Sequence, residues 1–208
     1  GRCRYGKPSS VVRVSGDNMS VVREGVFDER WIRKAMTRTA LFVCTGNTCR
    51  SPMAEAMARR WAAQKLGVPV GELSEAGVVV RSAGAFAGAG ASASPEAVDA
   101  AQKLAADVSS HRSRPLAQGL LQEADRVWCM TAGHRDAVLQ IAPWAESKVE
   151  LLDPNGGDIS DPFGGDAAEY ERWNDYEFSF RFRVHPVEDR PDVPGNTATF
   201  LSFGWRVH

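Results

Sequence analysis

Apolar residues in this chain fall into short runs separated by turn-forming residues. Ala40-Leu41-Phe42-Val43 carries no polar residue and is too short for a helix, so a strand buried on both faces fits best. Val78 to Ser82, Arg126 to Met130 and Lys148 to Leu152 read as three further strands. Between them the period lengthens. After Arg50, Met53, Met57 and Trp61 recur four apart with Ala54, Ala58 and Leu66 on or near the same face, which predicts a helix. Pro95 to Ala106 and Ala132 to Ile141 predict two more. Strands that alternate with helices imply right-handed crossovers, and hence a three-layer α/β/α fold around a four-stranded parallel sheet.

The chemistry concentrates where the first strand meets the first helix, at Cys44-Thr45-Gly46-Asn47-Thr48-Cys49-Arg50-Ser51-Pro52. Pro52 suits a first helical turn and Ser51 is predicted to be the N-cap. Gly46 and Asn47 tolerate the positive φ that a tight turn needs. Free amides at such a helix start favour an anion. That field, with the Arg50 guanidinium, also favours the thiolate of Cys44. Arg50 can grip two phosphate oxygens at once. The loop therefore reads as a nucleophilic cysteine in a phosphate cradle. The plainer alternative, two buried cysteines flanking an ordinary turn, does not require strand, Cys-five-residues-Arg, Ser-Pro and helix to coincide. A Walker-type loop is excluded because no Gly-Lys-Ser/Thr run occurs at the required spacing. No metal site is expected, since Cys3, Cys44, Cys49 and Cys129 and the four histidines show no paired ligand spacing.

The stretch from Phe42 to Glu55 resembles the signature of the low-molecular-weight protein phosphatases. Arg81-Ser82-Ala83-Gly84, His111 to Leu116, Ala124-Asp125, Cys129-Met130-Thr131 and Asp158-Ile159-Ser160-Asp161-Pro162-Phe163-Gly164-Gly165 follow in that family's order, so the resemblance spans roughly residues 38 to 173. It implies a flavodoxin-like sheet of strand order 2-1-3-4. It also implies a two-step hydrolysis without metal or organic cofactor. Cys44 would attack phosphorus, with Arg50 and the amides of Thr45, Gly46, Asn47, Thr48 and Cys49 around the phosphate. Asp161 would be the general acid, then the base that activates water. Ser51 is assigned to support the sulfur, Asn47 to hold the loop in shape, and Cys49 to a protective disulfide with Cys44. Asp158 is either a contact for a cationic substrate group or a cap of its turn. Family members acting on phosphotyrosine commonly carry a bulky aliphatic residue where Thr48 stands, whereas protein arginine phosphatases carry threonine. Protein phosphoarginine is therefore the expected substrate and phosphotyrosine the alternative.

Arsenate reduction uses a related loop but needs further resolving cysteines, and only Cys129 follows the loop, in what reads as a buried strand. Gly88 to Ala93 reads as a flexible loop and not as a dinucleotide fingerprint. His111 reads as a loop or helix-cap hydrogen bonder, with Arg112 and Arg114 solvated.

The composition adds bounds. A chain of 208 residues with 43% hydrophobic content can bury one core, and a net charge of -1 gives no global pull towards nucleic acid or anionic membrane. No apolar run approaches the ~20 residues of a membrane span. Few cysteines beside a reactive thiol suggest a reducing cytoplasm. A monomer acting on phosphorylated proteins or peptides is expected. Residues 1–37 are expected to be a disordered extension, residues 38–177 the phosphatase domain and residues 178–208 an atypical tail. In that tail Phe178, Phe180, Phe182 and Val184 alternate with polar residues where the family has a closing helix. That period fits an added edge strand or an irregular tail, or a frame shifted after about Trp173.

Overall fold

The computed structural model describes residues 6–15, 18–153, 155–162, 179–186 and 199–206. The chain divides into two compact units, Gly1–Arg38 and Thr39–His208.

In the first unit β1 (Val11–Ser15) pairs antiparallel with β2 (Asn18–Arg23), Val12 opposite Val21 and Val14 opposite Met19. Helix α1 (Glu29–Met36) follows, its first turn capped by the Asp28 carboxylate, which accepts from the Trp31 amide at 2.7 Å. The Phe27 and Trp31 rings stack with centroids 4.0 Å apart. The expectation of disorder over residues 1–37 is thus corrected for the described part. Short Val-x-Val alternation is enough for a two-stranded ladder, and one Asp cap with an aromatic pair starts the helix.

In the second unit β3 (Arg38–Cys44), β4 (Val78–Gly84), β5 (Arg126–Cys129) and β6 (Val149–Leu151) form one parallel sheet. The order β4-β3-β5-β6 is the expected 2-1-3-4. Ala40 to Val43 register against Arg126 to Cys129, and Val127 against Val149. The helices are α2 (Arg50–Leu66), α3 (Pro95–Lys103), α4 (Gln118–Glu123) and α5 (Ala132–Ile141). The Ser94 and Thr131 hydroxyls cap α3 and α5, and α2 ends on Gly67 at φ 67. Helix α4, six residues with a glycine inside, was not anticipated.

The period of the strand sorts the β3 side chains between two cores. Ala40, Phe42 and Cys44 pack with Met53, Ala54, Ala58 and Ala62 of α2 and Ala97, Ala100 and Ala101 of α3. Leu41 and Val43 pack on the other face with Leu121 of α4 and Val138 of α5. That two-sided burial explains the unbroken apolar run of β3, and alanines on α2 and α3 let both helices lie close to the sheet.

The alternating tail forms strand β7 (Ser179–Pro186), paired antiparallel with β8 (Thr199–Arg206) from Ser179 opposite Arg206 to Pro186 opposite Thr199. Among the described residues it makes a separate two-stranded sheet, which corrects the added edge strand. Phe163-Gly164-Gly165, like the rest of residues 163–178, lies outside the described residues.

Beyond β4 the chain runs alongside the loop that follows β3, the Ala85 amide donating to the Cys44 carbonyl at 2.8 Å and that of Phe86 to the Thr45 carbonyl at 3.0 Å. Gly84 leaves no room here. A Cβ on it would stand 2.5 Å from the Thr45 carbonyl oxygen and 2.9 Å from the Asn47 nitrogen, both backbone atoms. Gly84→Ala should therefore destabilise the protein by about 2 kcal/mol in denaturant unfolding. An unchanged midpoint would show that the loop can yield.

Candidate active site

Strand β3 delivers Cys44 to the carboxyl edge of the sheet, where open α/β folds place their ligands. Five residues later the chain enters α2. The turn closes because Asn47 adopts φ 54, a left-handed conformation that aims its amide at the Cys44 Sγ, 3.3 Å away. The Ser51 hydroxyl lies 2.9 Å from the same sulfur. Ser51 is not the N-cap. The Met53 amide bonds to the Cys49 carbonyl at 3.2 Å, so the helical ladder already starts at Arg50 with Cys49 in the cap position. The Ser51 hydroxyl is thereby released towards the sulfur. The Asn47 amide and the Ser51 hydroxyl thus both meet the Cys44 sulfur.

Asn47 is completely buried and no polar atom of it is idle. Its side-chain amide donates to the hydroxyls of Ser51 (2.9 Å) and Ser82 (2.8 Å). Its Oδ1 accepts from the Arg114 amide at 2.9 Å, and its carbonyl lies 2.8 Å from His111 Nε2. The Ser82 hydroxyl passes the chain on to Glu55, 2.6 Å away on α2. His111 is thus a loop hydrogen bonder, as expected, while Ser82 and Glu55 are additions no local pattern announced. Nearby, the Gly90 amide donates to the Ser113 carbonyl at 2.8 Å and that of Ala91 to the Ser113 hydroxyl at 2.9 Å. The segment Gly88 to Ala93 is therefore tied down and not a free loop.

Arg50, only 4% exposed, spans the site. Its Nη1 donates to the Ile159 carbonyl at 2.9 Å, its Nη2 donates to the Thr45 hydroxyl at 3.1 Å, and it forms an ion pair with Asp161. Cys44, Thr45, Gly46, Thr48, Cys49, Arg50 and Asp161 together line a cavity of about 180 Å³. The Cys44 thiol and the Arg50 guanidinium of one loop thus meet the Asp161 carboxylate, distant in sequence, around one space. Asn47 and Ser51, expected near the phosphate, stand behind that lining and hold the turn and the sulfur. Asp158 does not line the cavity either. Its Oδ1 accepts from the Ala132 amide at 2.7 Å, so the carboxylate caps the start of α5.

His134, on the first turn of α5, went unnoticed in the sequence and is buried beside Arg50. Burial, then the Arg50 charge, hold its pKa below the ordinary 6.5, against opposing pulls from Asp161 and Asp158. Cys129 is completely buried in β5, and burial pushes its thiol up to about 12. Such a group is too poor a nucleophile to resolve a disulfide, which weakens the reductase alternative further. Cys49 is buried and its Sγ donates to the Ser94 hydroxyl at 3.3 Å.

The low molecular weight phosphotyrosine protein phosphatase family matches residues 39–176. A protein-arginine-phosphatase of Geobacillus stearothermophilus is 37% identical over 139 residues, covering 65% of this chain and 85% of that protein. A low molecular weight protein-tyrosine-phosphatase of Streptomyces coelicolor is 38% identical over 145 residues, covering 65% and 84%. Among solved structures, a YwlE arginine phosphatase mutant with a phosphorylated active-site serine superposes with a TM-score of 0.57 at 37% identity, over 66% of this chain and 86% of that one. With the loop, the buried arginine and the sheet order in agreement, this chain belongs to the low molecular weight phosphotyrosine protein phosphatase family.

Proposed function

We propose that this phosphatase hydrolyses phosphoarginine in proteins, with Cys44 as nucleophile, Arg50 as the phosphate-binding cation and Asp161 as general acid and base. The observation that carries the reading is that Thr48, a small polar residue, lines the same cavity as Cys44, Arg50 and Asp161. A threonine leaves room beside the phosphate for a planar guanidinium, and a carboxylate lining the same cavity suits a cationic leaving group. The 37% identity to a protein-arginine-phosphatase supports it.

In the first step the Cys44 sulfur forms a bond to phosphorus as the phosphorus–nitrogen bond breaks, and Asp161 gives its proton to the departing nitrogen. The Arg50 guanidinium and the loop amides meet the charge on the three equatorial oxygens. Water then attacks the phosphocysteine, Asp161 takes its proton, and the thiolate and inorganic phosphate are released. The phosphate dianion takes the place of Asp161 on Arg50, and the freed carboxylate takes up the proton that the Cys44 thiol loses on attack and passes it to the leaving nitrogen. Phosphotyrosine is the second reading, favoured by the 38% identity to a protein-tyrosine-phosphatase.

Three variants test this. Cys44→Ser should abolish turnover in a phosphate-release assay, and a Ser variant that still turns over would overturn the covalent mechanism. Asp161→Asn should slow kcat by roughly 10²–10⁴-fold, most with leaving groups that need the proton. If all leaving groups suffer equally, another residue supplies the acid. Thr48→Ile should lower the preference for phosphoarginine over phosphotyrosine peptides by at least about tenfold. Faster phosphotyrosine turnover by the parent, unmoved by this substitution, would favour the second reading.

A further inference from the structure

His134 is 5% exposed and both ring nitrogens have partners. Nδ1 lies 2.8 Å from the Thr131 hydroxyl, which also accepts from the His134 backbone amide at 3.3 Å as the cap of α5. Nε2 lies 2.9 Å from the hydroxyl of Thr45 in the phosphate loop. That same oxygen accepts from Arg50 Nη2 at 3.1 Å. One imidazole therefore runs from a helix cap to the oxygen against which the guanidinium rests.

The charged groups that act on the ring are Arg50, Asp161 and Asp158, and burial together with the cation favours the neutral form. A neutral imidazole has one donor and one acceptor. One arrangement that satisfies every partner puts the proton on Nε2. Thr131 then accepts from the His134 amide and donates its hydroxyl hydrogen to Nδ1. Thr45 accepts Nε2–H on one lone pair and Nη2–H on the other. Its own hydroxyl hydrogen is left to face the cavity that Thr45 lines. With Nη1 on the Ile159 carbonyl and Nη2 on a hydroxyl that is itself held, the guanidinium is restrained at both ends.

We propose that His134 is a positioning residue for Arg50, acting through the Thr45 hydroxyl to hold the guanidinium in the plane in which it meets the phosphate. The proposal rests on the reading of Arg50 as the phosphate-binding cation. A residue that only capped α5 would need the Thr131 side of the ring alone.

Two substitutions separate these roles. His134→Asn places an amide near Nδ1 and keeps the contact with Thr131. His134→Gln reaches the Nε2 position and keeps the contact with Thr45. The Asn variant should lose about tenfold in kcat/KM on whichever phosphopeptide the parent turns over. Its affinity for inorganic phosphate, measured by calorimetry, should fall by a similar factor with the melting temperature near that of the parent. The Gln variant should stay within about threefold of the parent in both measurements. Thr45→Val should reproduce the Asn defect, and adding His134→Asn to it should bring little further loss. Equal behaviour of Asn and Gln, or losses that multiply in the double variant, would overturn the proposal. A parent that binds phosphate normally in a site indifferent to both substitutions would overturn this proposal alone. A parent that binds no phosphate would overturn the reading of the site as well.

Discussion

Asn47 is buried in a left-handed conformation that costs an L residue on the order of 1 kcal/mol, and the rest of the site is arranged so that this conformation persists. Its amide points at the Cys44 sulfur, its side chain joins Ser51 of α2 to Ser82 of β4, and its Oδ1 and carbonyl receive the Arg114 amide and His111. Glycine would adopt the φ more easily. It would also leave the Arg114 amide without its partner, at about 1–3 kcal/mol for a buried group left unsatisfied, and the Ser82 hydroxyl with Glu55 alone. The requirement is therefore for a residue that combines αL tolerance with a planar amide, which is asparagine.

The second constraint is a buried cation. An isolated guanidinium in the interior is costly unless paired, and Arg50 has partners of two kinds. The Ile159 carbonyl and the Thr45 hydroxyl are neutral and belong to the fold, while Asp161 is charged, with its side chain 43% exposed. In the proposed reaction this division lets the carboxylate exchange for a phosphate without setting the guanidinium adrift.

What the sequence disclosed follows from how local each cause is. The four strands of the main sheet were legible because β3 is buried on both faces and reads as a continuous apolar run, and α3 and α5 carry their own caps in Ser94 and Thr131. Cys44, Arg50 and Asp161 were legible because spacing and resemblance mark them. Misplacing the α2 start at Ser51 followed from cap preference, which knows nothing of a sulfur that competes for the hydroxyl. The hairpin and α1 were missed because short Val pairs among charges look like disorder until cross-strand pairing and an aromatic stack are counted. His134, Ser82 and Glu55 were illegible for a different reason. Each acts through hydrogen bonds to residues 27 to 89 positions away, and nothing in its own neighbourhood records those partners.

The placement of Asp161 shows how such long-range bonds set chemistry. Its loop is pinned at the β5–α5 junction, where the Ile159 amide donates to the Met130 carbonyl at 2.8 Å and Asp158 accepts from the Ala132 amide at 2.7 Å. Ile159, 1% exposed, adds apolar burial to the same anchor. The backbone two residues before Asp161 is thus held, and in the proposed reaction the carboxylate reaches the leaving group by side-chain rotation. A loop so anchored has little freedom to choose among substrates. Choice then falls to a residue that lines the cavity without carrying the fold. Thr48 fits, since the contact made by its hydroxyl is a weak one, 3.7 Å to the Cys49 sulfur, while its carbonyl serves the α3 cap through the Ser94 amide. Its backbone is constrained and its side chain comparatively free, so in the proposed reading the residues that perform the hydrolysis are separate from the one positioned to decide what is hydrolysed.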